Sequence, residues 1–114
     1  MTKAIFVTAT GTDVGKTYIS ALIVKKLREL GYNCGYFKPA LSGAIEKDGE
    51  FIPGDCDFVL KTAGINANPM DFVSYVYKTA VSPHLASKIE NKPIKIEKIK
   101  SDFKRIKNNY DYLV

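Results

Sequence analysis

The hydrophobic pattern begins with an unbroken apolar run and then changes to a helical period. Residues 4–7 are all apolar, which is typical of a strand in a parallel sheet covered on both faces, so we predict a buried strand over 3–8. From Gly15 to Leu30 the apolar positions lie on one side of a helix, and Gly31 suits the position after its C-terminus. The predicted apolar stripe consists of Ile19, Leu22, Ile23, Leu27 and Leu30.

A second strand is predicted over 34–37, and Pro39 is expected to end it. Strand, helix and strand in this order form a right-handed βαβ unit. Residues 40–54 carry the turn signals Gly43, Asp48-Gly49 and Pro53-Gly54, so we predict a loop there, and loops of this length are commonly functional.

The second half of the pattern contains three more helices and two more strands. A short helix is predicted to begin at Asp55 or Asp57 and to end at Gly64, followed by an extended segment over 72–77. Ser82-Pro83 predicts a helix to about Glu90, because serine caps helices and proline suits their first position. The clearest predicted helix covers 95–110, and its apolar positions are Ile96, Ile99, Phe103, Ile106 and Tyr110. Residues 112–114 begin another predicted strand.

Composition narrows the classes of function. The chain has 114 residues, 46% of them hydrophobic and 25% charged, which is typical of one soluble domain, here 1–114. It contains neither a long apolar segment nor a signal peptide, so we expect a cytoplasmic protein. Cys34 and Cys56 are predicted to be buried thiols, and the single histidine, His84, excludes a His-based metal cluster and is expected at a capped helix start.

The net charge of +5 arises in one segment. Residues 88–107 contain eight Lys or Arg and three acids, whereas the rest of the chain has nine of each sign. A basic amphipathic helix can bind nucleic acid or a membrane surface. Here the aromatic residues lie on the apolar stripe rather than among the lysines, which favours the solvated face of a core helix. We therefore expect neither nucleic acid nor membrane as a partner.

Gly-Lys-Thr at 15–17 lies between the first predicted strand and the first predicted helix, as a phosphate-binding loop requires. The helix N-terminus offers free N–H groups and a positive dipole end to an anion. Lys16 can reach the β- and γ-phosphates of a nucleotide, and the Thr17 hydroxyl can bind Mg²⁺. The loop differs from the general form, which has a glycine where this chain has Thr10.

Lys38 and two aspartates are further candidates. Lys38 follows the second strand, and ligands of open α/β sheets bind at the carboxyl ends of strands, so Lys38 is expected on the same rim as Lys16. An acid is needed to hold Mg²⁺ opposite the threonine, and either Asp55 or Asp57 has a suitable position. Asp55 is equally suited to cap a helix, so spacing does not choose between them.

Five ordered segments resemble dethiobiotin synthetase. This chain has segments similar to four further family features besides the loop. They are the Lys-Pro-x-x-Ser/Thr-Gly element, the acidic Mg²⁺ segment, the Ser-Pro-His element and the strand before Val-Glu-Gly-Ala-Gly-Gly. The segments are VTATGTDVGKT (7–17), GYFKPALSG (35–43), GDCDFV (54–59), SPHLA (82–86) and YDYLV (110–114). The resemblance implies an α/β, P-loop NTPase-like three-layer sandwich with a parallel sheet, here interrupted after the start of the third core strand.

The resemblance also implies an ATP- and Mg²⁺-dependent ligase that forms C–N bonds. In that reaction 7,8-diaminononanoate captures CO₂ as a carbamate, ATP phosphorylates the carbamate, and the second amine closes the ureido ring of dethiobiotin. Lys16 and Lys38 would stabilise the phosphates, while Thr17 and Asp57 would bind Mg²⁺, with Asp55 as the alternative. The family resemblance further implies a homodimer.

The remaining site residues are also implied by the resemblance. Ser42 would bind the substrate, and Thr12 would lie beside the carbamate and the phosphates. The residues expected to contact the nucleotide and its metal are Thr12, Asp13, Val14, Gly15, Lys16, Thr17, Tyr18 and Asp57.

Two departures from the family pattern affect these expectations. Ala9 replaces the first loop glycine, which would cost roughly 1–2 kcal/mol if that position had a positive φ. The family's second metal acid and its adenine pocket would follow Val114, since its members are about twice this length. We therefore expect the 114 residues alone to be inactive, with the third strand leaving an exposed edge.

Two other classes compete with this interpretation. One is another P-loop ATPase. Partitioning ATPases use a second lysine in the loop, which this sequence lacks, and amidoligases require a glutaminase domain, which does not fit in these 114 residues. The other is a basic nucleic-acid-binding module acting through 95–107, which would show a steep loss of DNA affinity with salt.

Overall fold

The protein is described here from a computed structural model, which describes residues 2–8, 15–79 and 81–114. Strands and helices alternate along it, which confirms the predicted α/β class. The helices are α1 (Lys16–Glu29), α2 (Gly54–Ala63), α3 (Pro83–Ile89) and α4 (Ile96–Lys107). The strands are β1 (Lys3–Ala4), β2 (Cys34–Gly35), β3 (Lys38–Leu41), β4 (Ile45–Lys47), β5 (Glu50–Ile52), β6 (Val73–Val76) and β7 (Tyr112–Leu113).

The central sheet is parallel and has the order β1-β7-β2. Tyr112 of β7 is in register with Lys3 on one side and with Cys34 on the other. The predicted strand at the end of the sequence is therefore confirmed, but the expectation that it would form an exposed edge is wrong. Within the described residues, the outer edges of this sheet belong to β1 and β2.

The strands β3 and β6 pair in parallel and form a second, two-stranded sheet. Pro39 lies inside β3, so the prediction that it ends the preceding strand is wrong. Its neighbours Lys38 and Ala40 are the residues in register with β6, and the missing N–H of a proline is tolerated at a position between paired residues. The extended segment predicted over 72–77 is confirmed as β6.

The predicted loop over 40–54 contains an antiparallel hairpin instead, formed by β4 and β5. The predicted turn signal Asp48-Gly49 lies at the centre of this hairpin, where the two residues have φ values of 54° and 80°. Two successive positive φ values match the twist of a hairpin, and Asp-Gly is a favoured sequence there.

The four helices were predicted with small errors at their ends. Gly31 has a φ of 95° directly after α1, as expected for a glycine that ends a helix. The Ser82 hydroxyl accepts a hydrogen bond from the Leu85 N–H (3.4 Å), which confirms the predicted cap of α3. The helix α2 begins at Gly54, before either of the two aspartates proposed as its first residue.

Burial differs from the predicted pattern in the first strand and on two helices. The segment predicted as a buried strand is largely exposed, and Phe6 is 88% exposed. On α1 the fully buried positions are Ser20, Ala21 and Val24, because the helix packs against α2 as well as against the sheet. On α4 only the C-terminal part is in the core, with Ile106 buried and Ile96 58% exposed.

The two cysteines lie in the core as free thiols, which confirms the prediction. Burial raises the pKa of Cys34 to about 11 and that of Cys56 to about 12. Both thiols are therefore neutral near pH 7 and act as small apolar side chains rather than as nucleophiles.

Replacing Gly35 with alanine is expected to lower the free energy of unfolding by about 1–3 kcal/mol. A Cβ there would lie 2.7 Å from Cε2 and 2.9 Å from Cγ of Tyr110, whose ring also packs against Phe72. Urea unfolding of the 114-residue chain measures the loss. Because the contact is with one ring, Gly35→Ala is expected to cost less in a Tyr110→Ala background, and an equal cost in both would contradict this account.

Candidate active site

The start of α1 has the geometry of an anion site. Gly15 precedes the helix with a φ of 84°, a left-handed conformation that favours glycine, and its carbonyl accepts the Ile19 N–H at 2.9 Å. Lys16 and Thr17 form the first turn, where backbone N–H groups and the positive end of the dipole attract anions. The Ser20 hydroxyl donates to the Lys16 carbonyl (2.8 Å) and fixes this turn from the buried side.

Part of the predicted loop lies outside the described residues. This applies to Ala9, where backbone strain was considered, and to Thr12, Asp13 and Val14, which were assigned to the nucleotide and the substrate. Their roles stay predictions.

One cavity of about 670 Å³ brings together Lys16, Thr17 and Lys38. The first two come from α1 and the third from β3, so two separate elements contribute polar groups to one cavity. The remaining lining is mostly apolar and includes Phe37 and Phe103, whose rings are 5.9 Å apart. Lys100 of α4 also lines the cavity. Sequence reasoning missed it, because it looked like one more solvated lysine of the basic segment.

Lys38 makes its closest polar contact with Asp55. Its Nζ lies 2.5 Å from the Asp55 Oδ2, and the lysine side chain is 19% exposed. Asp55 lies in the first turn of α2, whose N-cap is Pro53, so its carboxylate reaches across to β3 and is not the cap that the sequence suggested. Asp55 thus pairs with one of the two lysines that line the cavity.

Asp57 points elsewhere. Its Oδ2 forms an ion pair with the Nζ of Lys61, one turn later on the same helix, at 3.0 Å. The choice of Asp57 assumed that it directly precedes the helix, and this premise is wrong because α2 already begins at Gly54. The structure therefore places Asp55, and not Asp57, in contact with another candidate site residue.

Ser42 follows β3 in a segment that is held by backbone hydrogen bonds. The next two N–H groups, of Gly43 and Ala44, donate to the carbonyls of Thr79 (3.1 Å) and Tyr77 (3.0 Å). Ser42 itself is half-buried, and Tyr18 is 57% exposed on α1. Neither is among the described residues that line the cavity, nor are Asp55 and Asp57.

The donor groups near the cavity can be compared with the needs of a metal ion. The described part of the chain contains no group of three or more His, Cys, Asp or Glu side chains that could hold one. Mg²⁺ does not require such a group, because it commonly binds one or two protein oxygens together with substrate phosphates and water. The Thr17 hydroxyl and one carboxylate would fit this chemistry. His84 is exposed in the first turn of α3, where its carbonyl accepts the Ser87 hydroxyl at 2.6 Å.

The helix α1 follows a strand of a parallel sheet, begins after a glycine and has Lys-Thr in its first turn, which is typical of a P-loop protein. Lys38 of β3 adds a second lysine to the same cavity. Residues 3–114 match a protein family described as an AAA domain, and the chain belongs to this family. The match confirms the predicted P-loop NTPase-like fold class.

Particular relatives within this class are dethiobiotin synthetases. The chain is 60% identical over 113 residues to the ATP-dependent dethiobiotin synthetase BioD of Clostridium botulinum strain 657. It is 57% identical to the enzyme of strain ATCC 19397 and 53% identical to that of strain Eklund 17B. Each match covers 99% of this chain and 50% of the relative, so the chain spans about half the length of these proteins. The resemblance found from the sequence motifs is confirmed.

None of the helices described is long and apolar enough to cross a membrane.

Proposed function

We propose that this sequence forms part of the active site of an enzyme that converts 7,8-diaminononanoate and CO₂ to dethiobiotin at the expense of ATP. The observation that carries the proposal is the meeting of Lys16, Thr17 and Lys38 at one cavity, in a chain 60% identical to a dethiobiotin synthetase. Because the relatives are about twice as long as the matched region, the activity is proposed for these residues together with the half that the match does not cover. The 114 residues alone are expected to form no dethiobiotin.

The reaction follows from the chemistry of a carbamate. One amine of the substrate adds to CO₂ and loses a proton, which gives a carbamate. A carbamate oxygen attacks the γ-phosphorus of ATP, and ADP leaves. The second amine then attacks the carbonyl carbon of the mixed anhydride, loses a proton and expels phosphate. Lys16 and Lys38 stabilise the negative charge that the phosphate oxygens carry and develop in these steps.

Mg²⁺ would be held by the Thr17 hydroxyl and by a carboxylate, and it would neutralise charge on the β- and γ-phosphates. We assign the carboxylate to Asp55, because it already contacts Lys38, whereas Asp57 is engaged by Lys61. Lys38 is then free to turn from Asp55 to a phosphate once the nucleotide and its metal are bound.

The other assignments complete the proposal. Ser42 and Thr12 bind the diamine or its carbamate, and the loop residues Asp13, Val14 and Gly15 together with Tyr18 contact the nucleotide. The enzyme is proposed to act as a cytoplasmic homodimer without a nucleic-acid or membrane partner.

Replacing Asp55 with asparagine is expected to raise the Mg²⁺ concentration needed for half-maximal activity at least about tenfold, because asparagine lacks the charge that attracts the ion. Asp57→Asn is the matched control on the same helix. It removes only an exposed ion pair with Lys61, worth about 0.3–0.5 kcal/mol, and should leave the Mg²⁺ dependence unchanged. A Mg²⁺ titration of initial rates measures both, and a larger effect of Asp57→Asn would return the metal to that residue.

The proposed function is tested with a joined chain. In this protein, residues 1–114 are followed by the half of the strain 657 synthetase that the match does not cover. With ATP, Mg²⁺ and bicarbonate, release of ADP is expected only when diaminononanoate is added. The 114-residue chain, assayed in parallel, tests whether the matched half suffices. ATP hydrolysis by the joined chain that ignores the diamine would favour another P-loop ATPase.

A further inference from the structure

Glu90, directly after α3, makes a contact that none of the assignments above uses. Its Oε2 accepts the backbone N–H of Thr79 at 2.9 Å, and its Oε1 is also withdrawn from solvent. The hydrogen bond from the Thr79 backbone holds the pKa of Glu90 below its usual range against the opposing effect of burial, with smaller contributions from the Thr79 side chain, the Lys78 backbone and the charge of Lys92. The side chain is therefore a carboxylate near pH 7, and its hydrogen bond to Thr79 is charge-assisted.

Thr79 is in turn bonded, through its carbonyl, to the segment that carries Ser42. Its carbonyl accepts the N–H of Gly43, and two residues earlier the Tyr77 carbonyl accepts the N–H of Ala44. The Tyr77 N–H donates to the Leu41 carbonyl at 2.7 Å, so residues 41–44 and 77–79 are joined on both sides of Ser42. Gly43 has a φ of 69°, which allows the chain to turn directly after Ser42.

A buried tyrosine supports this arrangement. Tyr77 is fully buried, and its hydroxyl donates to the Lys92 carbonyl at 2.7 Å, just beyond Glu90. The helix α3 is capped by Ser82 at its other end. The residues after α3 therefore hold the 77–79 segment at two points, through the Tyr77 hydroxyl and through the Thr79 N–H.

We propose that Glu90 is a positioning residue for the diamine substrate, because it binds the N–H of Thr79, the residue whose carbonyl orients Gly43 and, with it, Ser42. This inference rests on the proposed function, in which Ser42 binds the diamine. Glu90 does not touch the substrate. It acts through two successive hydrogen bonds, one donated by the Thr79 N–H to Glu90 and one donated by the Gly43 N–H to the Thr79 carbonyl.

The kinetic test compares Glu90→Ala and Glu90→Gln in the joined chain, with Glu97→Ala on the exposed side of α4 as the matched control. Glu90→Ala is expected to raise KM for the diamine about tenfold, as the loss of a charge-assisted hydrogen bond implies, with kcat and KM for ATP within about twofold of the parent. Glu90→Gln keeps an acceptor oxygen and is expected to recover most of the diamine KM. Glu97→Ala is expected to change none of these values.

A second measurement follows the geometry without relying on activity. Hydrogen exchange of peptides covering 41–45 is recorded by mass spectrometry in the 114-residue chain, with peptides from α1 as the internal reference. Glu90→Ala is expected to accelerate exchange at Gly43 and Ala44 while α1 stays protected. A general loss of folding would accelerate exchange in α1 as well as in 41–45. Glu90→Gln, which keeps an acceptor oxygen, is the folded comparison.

The outcomes separate the two claims. If the parent joined chain is active and Glu90→Ala leaves the diamine KM unchanged, the inference is overturned and the proposed function stands. Equal increases in both KM values, or faster exchange in α1 as well, would reduce Glu90 to a general structural role and also overturn it. If the parent forms no dethiobiotin, the proposed function fails together with the role toward the diamine. Unchanged exchange at Gly43 then also refutes the positioning itself.

Discussion

Replacing Lys16 with alanine in the joined chain is expected to lower kcat/KM for dethiobiotin formation about 100- to 1,000-fold. The lysine lies in the first turn of α1 and faces the cavity, where its charge would meet the β- and γ-phosphates. Charge on these oxygens increases as the phosphoryl group is transferred, so the cation stabilises the transition state more than bound ATP. Initial rates with the product quantified by mass spectrometry measure the effect.

Lys25→Ala provides the control for Lys16→Ala. Lys25 is exposed on the same helix, and its loss is expected to leave kcat/KM within about twofold and stability within about 0.5 kcal/mol of the parent. Activity of Lys16→Ala within a few-fold of the parent would mean that the glycine-initiated helix does not bind the transferred phosphate.

Replacing Lys38 with alanine is expected to lower kcat about 100-fold, the second-largest effect. Lys38 reaches the same cavity from a different strand, and its only described ion pair is with Asp55. Since Asp55 is substantially exposed, loss of the pair itself is expected to change the free energy of unfolding by less than about 1 kcal/mol. The loss of rate would therefore reflect catalysis and not unfolding, which a urea titration of the same variant checks.

Lys61→Ala is the matched control for Lys38→Ala, because Lys61 also pairs with an aspartate of α2 but lies on the solvent side of the helix. It is expected to keep the parental kcat. If Lys38→Ala and Lys61→Ala behaved alike, Lys38 would be a structural partner of α2 and not a group that acts on phosphate.

Local structure was predictable from the sequence wherever a single residue determines the backbone. Gly31 and Gly64 adopt the positive φ values expected after helices, and Ser82 caps α3 through its side chain. Asp48 and Gly49 form the expected turn. These features depend on contacts within a few residues of chain, so a local pattern is sufficient to predict them.

Long-range pairing was not predictable in the same way. The position of β7 between β1 and β2 joins residues about 80 to 110 positions apart in the chain, and no local pattern encodes it. The exposure of Phe6 depends on which elements cover the sheet, and the hydrophobic pattern of the sequence does not predict which elements these are.

The candidate site shows the same division. The motif around Gly15 and the position of Lys38 after the second strand predicted both lysines on one rim. Both line one cavity, although Lys38 is also the first residue of β3. The preference for Asp57 over Asp55 depended on the first residue of α2, which is Gly54 and neither aspartate. The identity of the metal ligand stays a prediction. Glu90 carries no motif at all, since its contact with Thr79 arises only when the end of α3 returns to the segment that follows β6.

In the proposed function, these residues serve the closure of a ureido ring. This proposal is tested most directly by supplying the joined chain with ATP, Mg²⁺, diaminononanoate and ¹³C-bicarbonate and determining the mass of the product and the amount of ADP. The account predicts dethiobiotin that carries the label in its ureido carbonyl, formed in equal amount to ADP, and a loss of both in Lys16→Ala. Release of ADP without labelled dethiobiotin would contradict it.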